Sequence, residues 1–158
     1  MKIHYKSCAY ALMRITLGVI FLFAGLGKIM MGPSVFANNL VNQFSKTPLP
    51  SELVRLFGTI LPFAELTIGL LITFGLFTMA GLYLASLLLI GLTFGMVILQ
   101  QPTVVAQNLL FSLATFFLIF LSEYNAFAID KLWWRGRSRE VIEEERIHVG
   151  TGRDRWAA

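Results

Sequence analysis

The stretch "RITLGVIFLFAGLGKIM", from Arg14 to Met30, decides the fold, because it reads as a membrane span that carries two cations. Thirteen mostly apolar residues separate Arg14 from Lys28. At ~100° per residue, positions fourteen apart return to within about 40° of one another, so both side chains leave the helix on nearly the same side. Either that side is polar and functional, or the two cations mark the ends of a span.

Three further apolar runs accompany it. The spans are expected at approximately 9–30, 53–76, 78–99 and 104–122. A single formal charge, Glu65, stands between Leu56 and Ser122. The chain is 56% hydrophobic, only 14% charged, and has a mean hydropathy of +0.71. A soluble chain of 158 residues has too little interior to hide so long a neutral stretch. These features specify an all-α integral membrane protein, a four-helix antiparallel bundle over residues 1–130. They exclude nucleic acid as a partner, because the net charge of +4 comes largely from cations toward the chain ends.

Those cations also orient the chain. Lys2, Lys6 and Arg14 precede or begin the first span, and Lys131, Arg135, Arg137 and Arg139 follow the fourth. The positive-inside tendency places both termini in the cytoplasm of a bacterial or archaeal cell. Residues 131–158 form a charged cytoplasmic tail, with Trp133 and Trp134 as an interfacial anchor. Gly75 to Thr78 must turn the second span tightly into the third, and "QQPT" (Gln100 to Thr103) turns the third into the fourth. The segment Pro33 to Pro50 is expected outside the bundle. Phe36, Leu40 and Phe44 recur at helical spacing, so it reads as a short amphipathic helix resting on the surface, with capping of a cavity as the alternative.

The polar residues inside the spans are the candidate site. Glu65 lies near the middle of the second span, where an ionised carboxylate is costly and marks a functional site or a paired charge. Pro62, three residues earlier, leaves the carbonyl of Gly58 without its helical partner. Arg14 lies about 7 Å into its span and Glu65 about 16 Å from the same face, so a long guanidinium is expected to reach the carboxylate. Asp130, on the same side, competes for Arg14. Lys28, two residues from the end of its expected span, reads as a snorkelling cation. Asn108 is either a tie between helices or a donor to a ligand. "GLTFG" (Gly91 to Gly95), with Gly81 and Ala85, signals close helix packing.

Cys8 is the only cysteine, so no intramolecular thiol–disulfide cycle is available, and His4 and His148 both lie in polar terminal segments. No metal site or intrinsic cofactor is expected.

The order and spacing of Arg14, Leu17–Gly18, Gly25, Lys28, Glu65, Gly69, Gly75 and Asp130, in "RITLGVIFLFAGLGKIM", "PFAELTIGLLITFGLFTMAGLYLASLLLI" and "NAFAID", resemble the DoxX/DoxD family of small four-helix membrane proteins. That resemblance implies a subunit of a quinone-linked oxidoreductase of the thiosulfate:quinone type, with other membrane subunits or further copies of itself as partners. Arg14, Lys28 and Asn108 are then candidate ligands of an anion or a quinone, and Glu65 is the candidate proton carrier. Two alternatives stand beside it: a non-catalytic accessory or assembly subunit of a larger redox complex, and a small carrier gated by Glu65.

Overall fold

The structure is a computed structural model that describes residues 2–125. Asp130, the tryptophan anchor and the charged tail lie outside the described residues. Five α-helices follow one another: α1 (Lys2–Met31), α2 (Pro33–Phe44), α3 (Ser51–Phe74), α4 (Thr78–Ile98) and α5 (Pro102–Phe120), with a short 3-10 turn at Ser122–Tyr124. Four of them are long and apolar enough to cross a membrane: Tyr5–Met31, Ser51–Phe74, Thr78–Ile98 and Pro102–Phe120. There is no strand among the described residues. The fold is a helical membrane bundle.

Its turns follow from local chemistry. α3 ends at Gly75, whose φ of 70° is the left-handed conformation that closes a helix without a Cβ penalty. Leu76 N–H then donates back to the Leu71 carbonyl at 3.0 Å, the six-to-one bond of a Schellman cap. Pro102 takes the first turn of α5, where its missing N–H costs nothing. The faces of α4 and α5 that carry Leu87, Ile90, Leu109, Leu110, Phe116 and Phe120 are exposed and apolar, as a lipid-facing surface requires.

Lipid is as apolar as leucine, so burial alone does not drive helices together inside a membrane. Close packing at small residues does. The α1–α3 seam is built that way. Gly18 lies against Thr73, Gly69 against Leu22, and Gly25 against Leu66 and the Pro62 carbonyl. A Cβ at any of the three would collide with backbone atoms of the facing helix. The buried core beside this seam includes Leu17, Phe21, Ile68, Ile72, Leu82, Ala85, Leu89 and Leu118.

The connector departs from expectation. At Gly32 (φ 97°) the helix breaks, and Pro33 begins α2. The chain does not leave the bundle there. Ala37 packs on Gly58, and Leu40 and Phe44 cluster with Val54, so the contacts continue along α3 in the antiparallel sense set by α1. The buried face of α2 is Ala37, Leu40 and Phe44, with Phe36 at its border. α2 is therefore a packed wall of the bundle rather than a surface-resting connector. Its small residue, Ala37, meets the glycine of α3 and allows that approach.

Candidate functional site

The register of the α1–α3 seam determines which charges meet. With Leu22 opposite Gly69, Glu65 is level with position 26 of α1. Lys28 is two residues from that level, about 3 Å along the axis, whereas Arg14 is twelve residues away, about 18 Å. Lys28 Nζ donates to Glu65 Oε2 at 2.6 Å. This corrects both sequence expectations for these residues. Glu65 pairs with Lys28, not Arg14, and Lys28 turns inward instead of snorkelling. The reason is the course of the chain after Gly32: because α2 prolongs α1 along α3, Lys28 stands within a continuous packed path and not at its end.

Three further features hold Lys28. Its ammonium reaches the Ala24 carbonyl of the preceding turn at 3.4 Å. It also lies 5.6 Å from the centre of the Phe36 ring, within cation–π range, so α2 helps to seat the charge. Glu65 is 4% exposed and the Lys28 residue is only partly buried. A carboxylate so buried is tolerable because an opposite charge is hydrogen-bonded to it.

The pair lies at the edge of a cavity of about 490 Å³, within the range of small-molecule sites. Its walls come from α2 (Phe36, Leu40, Phe44), α3 (Phe57, Leu61) and α4 (Phe94), and α5 contributes Asn108. Asn108 is 7% exposed, and its amide nitrogen Nδ2 has no hydrogen-bond partner among the described residues. Buried amide N–H groups are rarely left so, because the missing bond costs about 1–3 kcal/mol. Pro62 is fully buried in α3, and its carbonyl closes on Gly25.

Arg14 is buried as well, 3% exposed, and lies at the level of the α3–α4 turn. The structure therefore brings Lys28, Glu65 and Asn108 to one cavity and separates Arg14 from them. Asp130 lies outside the described residues. Among the described residues no group of three or more His, Cys, Asp or Glu side chains is placed to hold a metal ion.

Sequence reasoning missed the cavity walls. Gly91 and Gly95 read as a helix-packing motif, but their nearest neighbours are rings, Phe57 at 3.7 Å from a Cβ built on Gly91 and Phe44 at 3.3 Å from one built on Gly95. Both glycines line the cavity. Gly81 behaves as expected, packing on Leu71 and Ile72 across the hairpin. The available signal was the pairing of a two-glycine motif on one helix with phenylalanines on two others, which leaves room that aliphatic side chains would fill.

The family model described as methylamine utilisation protein MauE matches residues 6–103, well over half of the chain, and the chain belongs to that family. Comparisons with curated proteins and with solved structures found no match. The match replaces the DoxX/DoxD resemblance, which is a different family. The residues that suggested it are small residues at close helix crossings and ionisable residues inside spans, and packing physics places both in small bundles generally. The matched segment takes in most of α1, all of α2 to α4 and the Lys28–Glu65 pair. Most of α5, with Asn108, lies beyond it.

Proposed function

We propose that this MauE-family chain is an accessory subunit of the cell membrane that serves the assembly or maturation of a partner redox protein, with both of its own termini cytoplasmic. The observation that carries this reading is the family match over residues 6–103, described by methylamine utilisation. In this reading the chain's contribution is the cavity beside Lys28 and Glu65. Quinone is a candidate occupant, with Glu65 able to exchange a proton with what is bound there.

The test is complementation. A methylamine-utilising strain lacking its own family member is supplied with this chain, and growth on methylamine as sole nitrogen source is followed together with the amount of mature amine-oxidising enzyme. Restored growth and restored mature enzyme are expected. Restored growth without any change in enzyme maturation would refute the accessory role. Orientation is tested separately by a cysteine at Lys46 on a Cys8→Ser background, which an impermeant reagent should label from outside the cell.

A further inference from the structure

We propose that the cavity beside Lys28 and Glu65 binds a membrane-soluble molecule with an uncharged carbonyl head and an apolar body, admitted from the bilayer between α3 and α4. The proposal rests on the accessory reading for its setting, and on the geometry for its chemistry.

The polar end defines the head. Lys28 carries three N–H donors, of which Glu65 and the Ala24 carbonyl take two. Asn108 lines the same cavity with an amide nitrogen that is buried and unpartnered. The site thus presents N–H groups in want of an acceptor. The Lys28–Glu65 pair is neutral as a unit. An anionic head would bring a second negative charge beside Glu65, and a cationic one would stand against Lys28, each without a counter-ion in a medium of low dielectric. An uncharged carbonyl satisfies the donors and adds no charge.

The walls define the body. Phe36, Phe44, Phe57 and Phe94 line the cavity, and Gly91 and Gly95 leave the α4 backbone uncovered opposite Phe57 and Phe44. Flat rings over two glycines suit a ring or an acyl chain. The mouth follows from exposure. Phe57 (36%) and Phe94 (61%) both line the cavity and reach the outer surface of the bundle, as does Leu53 on the turn before Phe57. α3 and α4 touch closely near Gly81 and open toward Phe57 and Phe94. A gap between two spans opens on lipid, so the ligand arrives from the membrane.

The shared chemistry, a carbonyl on an apolar stem, has two sources: the ring carbonyl of an isoprenoid quinone and the ester carbonyl of an acyl lipid. The experiment uses the full chain in phosphatidylcholine nanodiscs with radiolabelled decylubiquinone as the probe and dioleoylglycerol and palmitate as competitors. Saturable binding is expected, weakened about tenfold or more in Asn108→Leu. It should be lost in Gly91→Leu, which fills the cavity at a position where a Cβ meets nothing closer than 3.7 Å. Displacement by dioleoylglycerol would make the acyl ester the source, and no displacement would make it the quinone ring. Non-saturable partitioning, or binding unchanged in both folded variants, would overturn the proposal. So would displacement by palmitate in preference to dioleoylglycerol. Binding is read without any partner. A chain that binds the probe but fails complementation refutes the accessory role alone, and one that complements without binding refutes the ligand alone.

Discussion

The glycines of the α1–α3 seam and those of α4 work in opposite ways. Toward Gly75, Gly69 and the α1 glycines Gly18 and Gly25 bring backbone against backbone, and the crossing is filled. Toward α2, Gly91 and Gly95 on α4 face only phenylalanine rings, and the space between becomes the cavity. The same residue type therefore sets helix separation along α1, α2 and α3 and clearance on α4. What decides is the neighbour: a backbone can follow a missing Cβ inward, whereas a ring tethered to another helix stops where its own helix stops. The Lys28–Glu65 pair stands at the boundary between the two regimes.

The largest expected effect is at the filled end. Gly69→Leu drives a side chain into the Leu22 backbone, which cannot withdraw without parting α1 from α3. A loss of about 4 kcal/mol is expected, read as a collapse of the monodisperse peak in mild detergent. A variant as stable as wild type would mean that the seam is not where the bundle is held.

Next comes the boundary. Lys28→Met leaves the Glu65 carboxylate buried without its cation, and Glu65→Gln leaves the ammonium without its anion. Each single change should cost about 3 kcal/mol, and the double variant should regain most of it. Thermal unfolding of the four proteins in detergent completes the cycle. Losses that simply add would remove the pair as an interaction.

Arg14 provides the contrast. Separated from Glu65 by about 18 Å of helix axis, Arg14→Gln should combine with Glu65→Gln additively, to within about 0.5 kcal/mol. A coupling well above that would place Arg14 in the Glu65 network after all. The smallest effect belongs to the open end. Gly91→Ala puts its methyl in ordinary van der Waals contact with Phe57 and should change stability by no more than about 0.5 kcal/mol. Gly69→Ala, by comparison, should be clearly destabilised in the same assay.

Much of this architecture was legible beforehand because it depends on short-range chemistry. Four runs of apolar residues specify four membrane-crossing helices wherever they pack, and Gly75 specifies a hairpin because few other residues accept its φ of 70°. Glu65 was identifiable as a carboxylate buried within the second span from its place in an apolar run alone. The cavity was not legible. Its walls are drawn from α2, α3, α4 and α5, and no single stretch shows that Phe44 lies over Gly95 or Phe57 over Gly91.

The partner of Glu65 marks the division most sharply. The sequence by itself determined that an ionisable residue would be buried in the second span and that two cations on the first were available to it. Which cation answers was decided only by tertiary structure. A helix of fixed rise can be slid along its neighbour without changing any local preference, and only the contacts of Gly18, Gly25 and Gly69 stop it sliding. They stop it where Lys28 is two residues, about 3 Å, from the level of Glu65 and Arg14 is about three turns away, and a charge in a membrane interior pairs with what is near.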